Sequence, residues 1–175
     1  MNIDELVNQS RKDLFIPTVV PIIRRLGVLQ DWDYLLVKLG GHWELPQTVV
    51  RDGETFAEAF YRCLTQKLGI PRNHITDNLD VGFYQSSAGS NGESKLYIYA
   101  GSFYRSNGKI SLPRPTDIRA VGFFGYDEAF LKLANYHIKM NNLTDEEVYY
   151  PFTMHPKAEA SIIAMNLLRR KIHKI

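Results

Sequence analysis

Hydrophobic residues recur along the chain with two different periods, and each change of period marks a new element. Ile3, Leu6, Val7 and Leu14 stand at about helical spacing and predict a short amphipathic helix over 1–15, stopped by Pro17. Residues 18–26 and 34–39 are apolar and β-branched, separated by the polar Gln30-Asp31-Trp32-Asp33, and read as two strands. Gly40-Gly41 then turns the chain into a third extended piece at 43–50. Over 55–68 the period becomes helical, with Phe56, Ala59, Phe60, Cys63, Leu64 and Leu68 on one face. Thr55 followed by Glu58 is a capping-box pair for its first turn; Gly69 ends it and Pro71 bars its continuation. Two strands at 79–86 and 95–105 are expected to pair around Gly89-Ser90-Asn91-Gly92. After a turn at Asn107-Gly108, a last strand at 119–126 leads into helices at 127–140 and from 156 to the end.

Strands, one buried helix, more strands and closing helices predict an α/β (α+β) fold: a mixed β-sheet sandwiched between helices, α/β/α. With 175 residues and no linker or repeat, the reading is one domain over 1–175, its helical ends at 1–15 and 127–175. Composition then narrows the class. The chain is 45% hydrophobic and 23% charged, which excludes both a disordered and a membrane-embedded polypeptide. The net charge of +2 does not by itself argue for nucleic acid. Local basic clusters, Arg169-Arg170-Lys171 with His173 and Lys174, and the smaller Arg24-Arg25, are candidate phosphate contacts or solvated ends. A single cysteine, Cys63, rules out an internal disulfide and fits a reducing compartment. The first residues lack the layout of a leader peptide, so the expected location is cytoplasmic, with no membrane partner.

The segment WELPQTVVRDGETFAEAFYRCLTQKLGI, starting at Trp43, resembles the Nudix superfamily signature G-x5-E-x7-R-E-U-x-E-E-x-G-U, in which U is aliphatic. Without gaps, Glu54 takes the first glutamate, Arg62 the arginine, Leu64 the first aliphatic position and Gly69-Ile70 the closing pair. Trp43, Pro46 and Asp52-Gly53 match in register as well. The resemblance spans about 18–140 and implies a Nudix-like α/β/α sandwich. Three positions depart: where the family carries metal-binding glutamates, this chain has Cys63, Gln66 and Lys67. The first glycine of the box is replaced by Thr48, and the one before it by Gln47. A Mg²⁺ ion wants anionic or carbonyl oxygens, so a thiol, an amide and an ammonium exchange poorly for carboxylates. The Trp-x-Leu-Pro-Gln string also resembles the degenerate Nudix domain of a mitochondrial large-subunit ribosomal protein.

The resemblance therefore implies a Nudix fold with a degenerate box and no metal or other cofactor. Glu54 and Arg62 remain as a clamp between loop and helix, and Glu58 reads as the cap rather than as a replacement ligand. Cys63 is either a small buried hydrophobe or a thiol nucleophile without a local histidine. Replacement acids or bases outside the box would come from Glu93, Asp117, Asp145, Glu146, Glu147 or His155. The expected function is binding of a nucleotide or RNA, or a scaffold role, with a homodimer or larger assembly as further partner. Ligand-binding candidates are Lys38, Arg51 and Lys67 for phosphate, and Tyr84, Tyr97 and Tyr99 for stacking on a base, core filling being the other reading of the tyrosines. The alternative is a divergent Nudix hydrolase acting on a nucleoside diphosphate derivative with Mg²⁺ or Mn²⁺.

Overall fold

A computed structural model of the chain describes residues 2–28, 31–76, 80–86 and 94–141, with the backbone alone given for 80–86 and 134–141. The expected loop tip at 89–92, the helix from 156 and the C-terminal basic run lie outside the described residues. Helix α1 (Ile3–Lys12) opens the chain under an Asn2 capping box completed by Glu5. It ends earlier than its apolar spacing predicts. Phe15 N–H donates to the Ser10 carbonyl and Leu14 N–H to that of Arg11, a Schellman closure with Leu14 left-handed at φ 62°. Leu14 consequently sits past the helix and 85% exposed, not on its buried stripe.

Among the described residues seven strands follow: β1 (Ile16–Leu26), β2 (Trp32–Leu39), β3 (His42–Glu44), β4 (Thr48–Val49), β5 (Asp80–Ser86), β6 (Lys95–Phe103) and β7 (Ala120–Gly125). The backbone of the sheet runs β3-β2-β1-β6-β5, with β7 added along β2 and β4 along β1. β1 and β6 pair in parallel, from Ile16 opposite Lys95 to Arg24 opposite Phe103; all other pairs are antiparallel, so the sheet is mixed as expected.

β1 and β2 stay together only at Arg24–Leu26 and Trp32–Tyr34 and then diverge. β3 and β4 enter the opening, β3 against the end of β2 and β4 against the start of β1. The single extended piece expected at 43–50 is therefore two short strands joined through Pro46. Divergence also explains how Pro21 is accommodated inside a buried strand. Pro17 turns its carbonyl toward Val50, whereas the Arg24 carbonyl accepts from Tyr104 on the β6 side. Pro21 shares the parity of Pro17, so its missing N–H faces the gap that neither β2 nor β4 spans, and no ladder bond is lost.

Helix α2 (Phe56–Arg62) runs on as one wider, π-helical turn over Cys63–Lys67 and stops at Gly69, which has φ 66°. A side chain at Gly69 would overlap the Ser111 carbonyl oxygen, because the β6–β7 loop lies directly against this helix end. Helix α3 (Tyr126–Asn141) follows β7. Strand alternation sorts the core into two layers. Val19, Ile23, Leu35, Val37, Leu96 and Ile98 pack against Phe56, Ala59, Phe60 and Leu64 of α2 and Val7 of α1. Val20, Ile22, Tyr34, Leu36, Tyr97 and Tyr99 pack against Ala129 and Leu133 of α3. The result is the expected α/β/α sandwich. Among the described residues no helix is long and apolar enough to cross a membrane.

Candidate functional site

The loop Arg51–Thr55 and helix α2 form the site, and a carboxylate–guanidinium clamp ties them together. Arg62 Nε donates to Glu54 Oε1 at 2.6 Å and Nη2 to Oε2 at 2.8 Å. The same guanidinium donates to Thr48 Oγ1 at 2.9 Å and to the Val49 carbonyl at 2.7 Å, so it also holds the end of β4. Glu54 accepts a further bond from Arg51 N–H at 2.8 Å. Its acidity responds: the Arg62 hydrogen bonds hold the carboxyl below its ordinary range, against the opposing effect of burial. Glu58 Oε2 accepts from Thr55 N–H and Oγ1, each at 2.8 Å, which is the capping box read from the sequence. Glu54 and Glu58 are thus already bonded, while Asp52, the third carboxylate of the loop and first turn, is fully exposed and stands 3.7 Å from Arg11.

The three degenerate positions have separate fates. Cys63 is fully buried, and burial pushes its thiol up to about 12, the state of a packed hydrophobe rather than a nucleophile. Gln66 is exposed on the outer side of the wide turn. Lys67 Nζ donates to the Gln47 carbonyl at 2.9 Å, so an ammonium bridges the helix to the loop that replaces the family's glycines. Behind that loop stands Glu44, 5% exposed, 3.6 Å from His42 and 3.4 Å from the Gln47 amide. A protonated thiol, an amide and a lysine ammonium, with Glu54 and Glu58 engaged elsewhere, do not fit a hard divalent cation. Among the described residues, no three His, Cys, Asp or Glu side chains converge as metal ligands.

A cleft of about 600 Å³ opens beside the clamp, lined by Arg51, Glu54, Glu58, Tyr61, Arg62 and Arg72 among others. Arg72 comes from the short 3₁₀ turn Arg72–His74 and lies over the Tyr61 ring, 4.1 Å from its centroid. Glu54 and Arg62 are brought together as the resemblance implies, and the backbone N–H of Arg51, a phosphate candidate, joins them by donating to Glu54. Tyr61 and Arg72 escaped sequence reading: Tyr61 looks like helix filling between Phe60 and Arg62, and Arg72 is brought alongside only by the turn after Pro71. Glu44 was legible in principle, since it stands next to Trp43 in the matched lead-in.

The aromatic candidates lie elsewhere. Tyr97 and Tyr99 are 5% and 4% exposed, packed in the α3 layer, so the sheet separates them from α2 and the core-filling reading holds. Lys38 pairs in register with Trp43 and Ala120 and shares its face with Leu36, again the α3 side. Neither Lys38 nor these tyrosines join Lys67. The side chain of Tyr84 lies outside the described residues, as do Glu93, Asp145, Glu146, Glu147 and His155; Asp117 is exposed in the β6–β7 loop.

Comparison with solved structures agrees with this fold. The chain is similar to the NUDIX domain of Shewanella oneidensis NrtR, solved with ADP ribose, at TM-score 0.61 and 14% identity over 98% of this chain and 99% of that one. It is similar to a C. elegans Ap4A hydrolase in a binary complex, at TM-score 0.60 and 14% identity over 91% of this chain and 99% of that one. It is also similar to the M. smegmatis Nudix hydrolase RenU, at TM-score 0.60 and 16% identity over 90% and 87%. No curated protein matches the chain. At such identities the structures establish the fold alone, but the sequence profile described as NUDIX domain matches residues 20–146, well over half of the chain. Box, clamp and sandwich together place this chain in the NUDIX domain family.

Proposed function

We propose that this protein is a Nudix-fold binding protein for a nucleotide or RNA, acting without a divalent cation and without hydrolysing its ligand. One observation carries the reading: Lys67, at a position where the family has a metal-binding glutamate, donates its ammonium to the Gln47 carbonyl. A fixed positive charge there repels a dication and attracts a phosphate directly. Arg51 and Arg72 bring guanidinium groups to the cleft beside the clamp, which Asp52, Glu54 and Glu58 also line, and Tyr61 supplies an aromatic wall. NrtR's NUDIX domain, solved with ADP ribose, is an example of the fold holding a nucleotide derivative.

Titration with ADP-ribose, NADH, dinucleoside polyphosphates, dNTPs and short RNAs in the presence of EDTA tests the proposal. Saturable binding that survives EDTA and weakens about tenfold in Lys67→Glu or Arg51→Ala is the expected result, as for the loss of a charge-assisted contact worth about 1.5 kcal/mol. Turnover of any of these compounds under Mg²⁺ or Mn²⁺, abolished by Glu54→Gln, overturns it. In that case the divergent-hydrolase reading takes over, and buried Glu44 beside His42 becomes the first carboxylate to replace. If no ligand binds, a scaffold role in a larger assembly, as the likeness to a ribosomal Nudix domain implies, is the reading that remains.

A further inference from the structure

A second concavity lies apart from the α2 cleft. It is a pocket of about 290 Å³ between Arg25 at the end of β1, residues Asn107–Ile110 of the β6–β7 loop, and Val121, Gly122 and Phe123 of β7. Among the described residues no carboxylate lines it, although acidic and basic residues are nearly equal in the chain as a whole.

Both of its cations are held in place or left open. The Arg25 guanidinium lies on the Phe123 ring, 4.2 Å from the centroid, and Phe123 is backed in turn by Tyr104 at 5.4 Å. Its countercharge is weak: a single oxygen of Asp33 stands 3.4 Å from both Nε and Nη2. A strong charge-assisted bond is shorter, about 2.7–2.9 Å. The Arg25 side chain remains 41% exposed. Lys109 and Asn107 are exposed on the turn after β6, and neither side chain makes a hydrogen bond or ion pair among the described residues. The turn itself is fixed, since Gly108 N–H donates to Ser106 Oγ at 3.0 Å and the Gly108 carbonyl accepts from the Tyr104 hydroxyl at 3.3 Å.

We propose that this pocket binds the phosphate of a small phosphomonoester between Arg25 and Lys109, with the Asn107 amide as a neutral donor and Val121 and Ile110 against the carbon tail. The volume lies at the lower end of the range for small-molecule pockets, about 300–1,000 Å³. One face of the Phe123 ring is already covered by Arg25 and its other neighbour is Tyr104, so no bare ring is offered to a base. Size and the covered aromatic thus favour a short-chain phosphate over a nucleotide. This inference stands on residues unrelated to Lys67 or the α2 cleft, and it holds or fails independently of the proposed function.

Calorimetric titration of the full chain with inorganic phosphate and with glycerol 3-phosphate, in metal-free buffer of low ionic strength, provides the test. Saturable binding of both is expected, reduced at least tenfold by Lys109→Gln, a change at an exposed turn position. Amide resonances of Asn107–Lys109 should shift on titration, and these shifts should saturate at the same concentration in Arg51→Ala and Lys67→Gln. Arg25→Lys, which keeps the charge but loses the planar stack on Phe123, should weaken binding less than Arg25→Gln. Absence of saturable shifts at Asn107–Lys109 overturns the proposal, and so do shifts whose saturation is indifferent to Lys109→Gln or lost in Arg51→Ala. A short single-stranded RNA that binds through Lys109 while glycerol 3-phosphate does not would overturn it in favour of a backbone contact.

Discussion

Glu54 and Arg62 show how much of the box persists beside its departures at Cys63, Gln66 and Lys67. Their two bonds at 2.6 and 2.8 Å, with side chains each 12% exposed, lock the 51–55 loop to α2. Glu54→Gln is expected to cost about 1–2 kcal/mol at neutral pH, since it removes the charge from a part-buried, doubly hydrogen-bonded pair. The pH dependence has a definite sign. Glu54 is more acidic folded than its ordinary value of 4.5, so its contribution is complete above that value and is lost as pH falls through the lower folded value. The difference in melting temperature between wild type and Glu54→Gln should therefore shrink below about pH 4.5; a constant difference down to pH 2 would contradict the clamp. Cys63 makes the opposite point about a box position. With its thiol pushed up to about 12 and no surface exposed, it should resist a thiol reagent in the native state and react only on unfolding. Fast native labelling would overturn the buried-hydrophobe assignment.

Among the elements, α1 and α2 end in contrasting ways. α2 closes on Gly69, which takes φ 66° without strain, whereas α1 closes on Leu14 at φ 62°, where a β-carbon is disfavoured. Leu14 is 85% exposed and has little burial to lose. Leu14→Gly should consequently stabilise the protein by about 0.5–1 kcal/mol, the strain released less the added freedom of the unfolded chain, visible as a raised denaturation midpoint. A lowered midpoint would mean that Leu14 makes contacts beyond those described. The elements themselves were largely legible from hydrophobic period. Helix α2, its capping box and its terminating glycine all fall where the pattern placed them. The errors arose where backbone hydrogen bonding outranks side-chain pattern: the early end of α1, the division of 43–50 into β3 and β4, and the wide turn at Cys63–Lys67. Apolar spacing reports which face is buried, and says little about which carbonyl a given N–H will find.

At the scale of the whole molecule the sheet is a partition, with the box helix on one side and the tyrosines of β6 on the other. Stability and ligand binding should separate accordingly. Tyr97→Ala is expected to cost about 3 kcal/mol in chemical denaturation, a large-to-small change in a packed layer, while the folded fraction keeps its affinity for any ligand of the α2 cleft. Arg51→Ala should do the reverse. Loss of cleft affinity in Tyr97→Ala at full folding would show that the two faces communicate. By itself the sequence determined the family, the order of elements, the Glu54–Arg62 clamp and the absence of glutamates at Cys63, Gln66 and Lys67, because all of these are properties of residue type and local spacing. Only the tertiary structure decided that Lys67 reaches the Gln47 carbonyl, that Arg72 meets Tyr61, that Arg25 and Lys109 share a pocket, and that Tyr97 and Tyr99 are core. Those outcomes depend on which face of the twisted sheet each strand presents and on where β1 parts from β2. Such contacts between distant segments are set by packing the whole chain at once, and no local pattern encodes them.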